Sequence, residues 1–237
     1  MAHVTVVANQ KGGVGKTTVS INLGAVVHDV LAGGTDASPV LVASTDPQAS
    51  AVWWSQRVER LPFDFVEVNN ARDLARLKNQ HRYQRVFVDS PGSLEDEAIL
   101  LATLEHADDV LVPMPPEGLA YDPTARTIER VVKPRGLPYW VVINNWDPRD
   151  GRGDLGQTQS YIDKRGWPRT NVVIRRYKIH TRAAVDGLVV TEYPKNRVAM
   201  EAREDFFRLA LELGLGSAVG HGRHHGEGLP VPEQRGA

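Results

Sequence analysis

Short β-branched runs alternate along the chain with longer stretches whose apolar residues recur at three- and four-residue steps, which predicts strands and helices in turn. The strand-like runs are "HVTVVA" (3–8), "PVLVAS" (39–44), "FDFVEV" (63–68), "RVFVDS" (85–90), "DVLVPM" (109–114), "YWVVIN" (139–144) and "NVVIRR" (171–176). They are almost continuously apolar, as strands covered on both faces are. The expected fold is therefore α/β, a parallel sheet of about seven core strands with helices on both faces. Helices are predicted over 16–31, 71–81, 94–105, 121–133, 155–166 and 197–213. In the last of these, Ala199, Ala202, Phe206, Leu209, Ala210 and Leu213 mark the buried stripe. "AGGTDASP" (32–39) reads as a turn-rich surface loop. From Ser217 the chain turns to Gly and Pro with little apolar content, so 1–216 is expected to be one domain and 217–237 a disordered tail.

Composition narrows the classes. A chain of 237 residues suits one α/β domain and buries roughly 70% of its unfolded surface without a disulfide or metal staple. There are no cysteines, which fits a reducing compartment and excludes thiolate-held zinc or iron–sulfur centres. The net charge of −1 means that nucleic-acid binding would need a local basic patch. No apolar run is long enough to span a bilayer, and no basic-then-apolar leader opens the chain, so a cytoplasmic protein is expected.

Behind the first strand stands "KGGVGKTT" (11–18), a glycine-rich turn feeding a helix. Strand, glycine turn and helix together are the context of a phosphate loop, and the fold class becomes that of the P-loop NTPases. Gly12, Gly13, Val14 and Gly15 supply a backbone free to point N–H groups at phosphate oxygens, backed by the positive end of the helix. Lys16 would reach the β- and γ-phosphates, Thr17 would offer its hydroxyl to Mg²⁺, and Thr18 follows in the same turn. The usual first glycine of such a loop is replaced by Gln10, and a second lysine, Lys11, stands at its mouth. Asp89, in "RVFVDSPG", ends a strand where a carboxylate holds Mg²⁺ through water. Asp46, in "VASTDPQAS", ends another, where it would orient or deprotonate the attacking water or join the metal shell. Either aspartate alone suits a helix N-cap equally well; their shared place at the carboxyl ends of strands favours chemistry.

These segments, "KGGVGKTT", then "DPQ", then "VDSPG", resemble the ParA/MinD family of deviant-Walker ATPases, as do "VVINNWDPR" and "VIRRYKIHTRAAVDGLVVTEYPK", so that the likeness covers about residues 3–214. The resemblance implies an ATPase that uses ATP and Mg²⁺ and pairs as a nucleotide-sandwich homodimer. In that dimer Lys11 would be the signature lysine crossing to the partner's phosphates, with Asp46 acting in hydrolysis and Asn144 contacting the adenine ring. Family members commonly carry an aspartate where this chain has Ser44.

Branches of the family differ locally. The nitrogenase iron-protein branch needs cysteines, and the MinD branch ends in a basic amphipathic helix that "GHGRHHGEGLPVPEQRGA" does not supply. The chain opens on its first strand, so a small form without an N-terminal helix-turn-helix is expected. Lys164, Arg165, Arg169, Arg175, Arg176, Lys178 and Arg182 follow one another without an intervening acid, and Lys195, Arg197 and Arg203 come soon after. Arg175, Arg176, Lys178, Arg182, Lys195 and Arg197 are the candidate DNA contacts, against the plainer reading of a solvated charged face. The expected function is DNA or plasmid partition on the nucleoid, with a ParB-like or adaptor partner stimulating hydrolysis and no membrane contact. The alternative is a MinD-like or cargo-positioning ATPase acting on a protein scaffold without DNA. Trp53 and Trp54 read as packing or dimer contacts, the acids at 94–109 as helix surface or a receiver of basic segments, and His221, His224 and His225, for all their look of a metal tract, as a loosely binding or inert segment.

Overall fold

Every position of the second, fourth and fifth strands is buried, as apolar strands sandwiched between two helical layers must be. The computed structural model describes residues 1–34, 37–48, 50–57, 61–68, 70–79, 81–92 and 96–216; the expected tail, with its histidines, and Glu95 lie outside them. Strands β1 (His3–Val7), β2 (Val40–Ser44), β3 (Asp64–Glu67), β4 (Arg85–Asp89), β5 (Asp109–Met114), β6 (Tyr139–Trp146) and β7 (Ile174–Arg175) form a seven-stranded sheet in the order β3-β2-β4-β1-β5-β6-β7. All pairings are parallel. The expected P-loop NTPase architecture is the observed one.

The side chains of each strand divide between two cores. One face, with Val7, Val42, Phe87 and Leu111, packs on α1 (Lys16–Leu31), α7 (Lys178–Asp186) and α8 (Arg197–Glu212). The other, with Val6, Ala43, Val88 and Val112, is covered by α3 (Ala71–Lys78), α4 (Glu97–Leu104), α5 (Tyr121–Arg126) and α6 (Gly153–Lys164). Asn196 caps α8 by accepting from the Ala199 N–H. Among the described residues no helix is long and apolar enough to cross a membrane.

Three elements depart from the periodicity. The predicted 121–133 helix is α-helical only to Arg126, then widens into a π-helical turn over Thr127–Val132. The strand expected over 171–176 shrinks to two residues: the Asn171 and Val172 N–H groups donate to the Glu212 carboxylate of α8, so the backbone there is held by side chains and not by a longer ladder. Helices α2 (Ser50–Ser55) and α7 have no counterpart in the predicted set.

Candidate nucleotide site

The carboxyl ends of β1, β2, β4 and β6 converge on the loop between β1 and α1, the edge where open α/β sheets bind ligands. Asn9 anchors the loop's entrance: its amide donates to the Pro113 carbonyl and the Thr124 hydroxyl, both at 2.9 Å, and its Oδ1 accepts the Lys11 N–H at 3.0 Å. The Gln10 N–H donates to Thr127 Oγ1 at 2.9 Å, so the π-helical turn is where α5 meets the loop. Gly13 and Gly15 take φ of 75° and 89°, left-handed values that favour glycine. Helix α1 then starts at Lys16 with no acidic residue in its first turn, leaving its positive end open to an anion.

Lys16 is buried, with 7% exposure, and its Nζ rests 3.4 Å from the Lys11 carbonyl. Burial drives its pKa below the ordinary lysine range, against the opposing charges of Asp89 and Asp46. Lys11 is only half-buried, and among the described residues its ammonium has no hydrogen bond or ion pair. Gly92, after β4, closes over both lysines: a Cβ there would lie 2.5 Å from Lys16 Nζ and 3.4 Å from the Gly12 Cα.

Asp89 is fully buried and accepts from Thr17 Oγ1 at 2.8 Å. Burial pushes its pKa up to about 7, opposed by the Thr17 hydrogen bond and the Lys16 charge. Its other oxygen, Oδ1, is buried without a hydrogen-bond partner among the described residues. An unused carboxylate oxygen beside a threonine hydroxyl fits Mg²⁺, a hard cation held by one or two protein oxygens plus phosphates and water.

Ser44 pairs in register with Asp89 and is itself buried, its Oγ without a partner among the described residues. A carboxylate there would add a like charge beside an already strained one, so serine suits this strand end. Asp46 lies just beyond, half-buried, and accepts the Gln48 N–H at 3.0 Å; its charge acts on both Lys16 and Asp89. Asn144 is not free to face a base with its amide nitrogen, which donates to the Val14 carbonyl at 2.7 Å. Thr18 is half-buried in the first turn, its carbonyl accepting from Asn22.

The six candidate DNA contacts separate into two groups. The Arg175 guanidinium grips Asp205 through Nε at 3.0 and 3.1 Å and through a terminal nitrogen at 2.8 Å, and Arg197 pairs with Glu201 at 2.9 Å. Arg176, Lys178, Arg182 and Lys195 are exposed, and among the described residues none has an ion pair. Arg165 lies over Tyr161 and Trp167, and Arg169 pairs with Asp163. The acids at 94–109 are likewise partly engaged, Asp108 by Lys78 at 2.7 Å and Asp109 by His3 at 2.8 Å. Trp54 is buried and donates to the Leu188 carbonyl, whereas Trp53 is exposed with Arg57 over its ring. Sequence reading missed the Asn9, Thr124 and Thr127 anchors, which no linear motif joins.

A phosphate loop on the carboxyl edge of an all-parallel sheet, with a buried lysine beside a strand-end aspartate, defines a P-loop nucleoside triphosphatase fold. A family profile described as "AAA domain" matches residues 2–69. The maintenance of carboxysome distribution protein A of Gloeobacter kilaueensis is 37% identical over 212 residues, covering 89% of this chain and 94% of that one. Among solved structures, MinD in its complex with MinC from Aquifex aeolicus superposes with a TM-score of 0.69 at 18% identity, over 98% of this chain and 99% of that one. The ATP complex of a Cyanothece McdA variant gives 0.65 at 17%, over 90% and 96%. The chain belongs to the ParA/MinD family of deviant-Walker ATPases.

Proposed function

We propose that this protein is a positioning ATPase that distributes a carboxysome or comparable protein-built cargo, switching between a free monomer and an ATP-bound dimer. The observation that carries the reading is the pair of lysines in one loop, Lys16 buried and Lys11 with its ammonium unpaired among the described residues. The 37% identity to a carboxysome distribution protein turns it from DNA segregation toward cargo placement. ATP and Mg²⁺ are the cofactors that suit the site. Lys16 and the loop N–H groups would hold the phosphates, while Thr17 and, through water, Asp89 would hold the metal ion, which when bound neutralises charge on the β- and γ-oxygens.

Lys11 serves the neighbouring protomer in this reading. Only the triphosphate carries the additional charge that rewards a second ammonium, so dimerisation depends on ATP. Asp46 orients the attacking water, and an adaptor protein on the cargo accelerates a slow intrinsic turnover. Non-specific DNA is the surface on which the dimer sits, because Arg176, Lys178, Arg182 and Lys195 are exposed and without ion pairs among the described residues. Partition of DNA as the cargo itself is the second reading, supported by the same four cations. The test is sedimentation with ADP, ATP or a non-hydrolysable analogue, with and without random-sequence DNA. ATP-specific dimers that co-sediment with DNA are expected. Dimers that ignore DNA would move the surface to a protein scaffold, and absence of ATP-specific dimers would sink the switch.

A further inference from the structure

Asn144 and the phosphate loop are 130 positions apart in sequence, yet the closest polar contact of Asn144 is with the loop's own backbone. The register of β6 against β7 slips between Asn144 and Trp146, and Asn145 at the slip takes φ of 67°. Such a bulge re-aims side chains: Asn145 is turned out to solvent, while Asn144 is kept inside with 4% exposure. Its Nδ2 donates to the Val14 carbonyl at 2.7 Å. A carbonyl can only accept, so the amide nitrogen must face it, and the orientation of the Asn144 amide follows from chemistry. A Cβ on Gly15 would collide with that same nitrogen, so the amide occupies the space that only a glycine leaves open.

The Val14 carbonyl and the Gly15 N–H belong to one peptide plane and point in opposite directions in the trans form. A phosphate loop works only while its N–H groups face the anion and its carbonyls face away. We infer that Asn144 is a positioning residue for phosphate binding: its amide holds the Val14 carbonyl back and thereby aims the Gly15 N–H at the triphosphate. This rests on the nucleotide reading above and differs from a contact with the adenine ring, for which the amide nitrogen is already committed. Asn144 does not touch the phosphates; it acts through the Val14–Gly15 peptide.

A probe without a base separates the two roles. Calorimetric titration of the full chain with Mg²⁺ and either ATP or inorganic tripolyphosphate compares the parent with Asn144→Ala, and thermal melting followed by circular dichroism establishes that the variant is folded. Both probes are expected to bind about equally more weakly, by roughly 10- to 100-fold, the cost of leaving a buried carbonyl unpaired. If Asn144→Ala does not fold, Asn144→Ser, whose hydroxyl is too short to reach Val14, carries the same comparison. Loss of ATP binding with unchanged tripolyphosphate binding would make Asn144 a base contact and overturn the inference. A lowered melting temperature with both affinities unchanged would overturn it as well, leaving a merely structural hydrogen bond. A parent that binds neither probe sinks the nucleotide reading itself, whereas a parent that binds both beside unaffected variants sinks only this one.

Discussion

His180 should make the protein sensitive to acid, by an amount the structure bounds. Its ring lies in the third position of α7, with Nδ1 2.9 Å from the Tyr193 hydroxyl and the rings of Tyr193 and Phe206 both 5.7 Å away. Tyr177 closes a third side at 6.0 Å, and Nε2 is buried without a partner among the described residues. Burial pushes its pKa down to about 4. An unfolded histidine titrates near about 6.5, so between those values the unfolded chain binds more protons than the folded one, and stability rises with pH. The stability this neutral histidine supports is fully present above about 6.5 and is lost as the pH falls to about 4. At about 1.36 kcal/mol per pH unit the loss approaches about 3 kcal/mol, a large share of a typical domain's 5–15. Urea denaturation between pH 7.5 and 4.5 measures it. His180→Gln keeps a polar partner for Tyr193 but cannot titrate there, so subtracting its profile removes every other group. The parent should lose about 2 to 3 kcal/mol more than the variant over that range. Equal losses would refute a neutral, buried His180. The consequence reaches the basic face, because Lys178 and Arg182 lie on the same helix that this ring seats against the core.

Lys16→Ala should weaken ADP and ATP binding by about 100-fold or more, since it removes the enclosed charge, whereas Lys11→Ala should bind ADP normally and fail to dimerise with ATP; calorimetry and size-exclusion chromatography check the pair, and a Lys11→Ala protein that dimerises like the parent contradicts the cross-protomer role. Asp46→Ala should still bind ATP and accumulate dimers while turnover falls by about 100-fold or more, as loss of a positioned base allows; phosphate release at the parent rate would remove Asp46 from hydrolysis. Replacing Arg176, Lys178, Arg182 and Lys195 with alanine should flatten the log K against log salt slope for random DNA by up to about 3 to 4 per protomer, at about 0.9 per contact. Arg175 stays in place in that variant, because its loss would strand the buried Asp205 carboxylate.

What could be read from the sequence was what is local. Strands buried on both faces need unbroken apolar runs, and a phosphate loop needs its glycines and lysine within one turn, so both are written contiguously. Elements held by distant partners were not legible. Helix α7, "KIHTRAAVD", is only nine residues long and buries only Ala183 outright, so its apolar face is short; it is held by the His180–Tyr193 contact and by the His180 ring against Phe206 of α8. Six-residue α2 is too short for its period to register, and its Trp54 is fixed by the Leu188 carbonyl far along the chain. The run of basic residues was visible, but the acids that engage Arg175 and Arg197 come from α8, after the run ends. The contact of Asn144 with the Val14 carbonyl shows the same limit, because the two residues lie 130 positions apart and no local pattern joins them.

The two lysines of the loop illustrate how burial sorts residues that the sequence presents as alike. Lys16 is enclosed beneath Gly92, with Asp89 nearby and the Lys11 carbonyl against its ammonium. Moving that ammonium out to a second molecule would break these interactions, which suits the proposed role of Lys16 toward its own protomer's nucleotide. Lys11 has its backbone fixed at both ends, its N–H by Asn9 and its carbonyl by Lys16, while no partner among the described residues holds its ammonium. A fixed backbone under a free cationic head suits a charge meant to be neutralised from outside the protomer. In the proposed dimer that neutralisation comes from the neighbour's triphosphate, and ADP, one phosphate shorter, leaves the head in water. The rigidity of the Lys11 backbone then matters as much as its charge. Disturbing the Asn9 anchor and removing the ammonium should cost the same step, ATP-dependent pairing, while nucleotide capture by Lys16 persists.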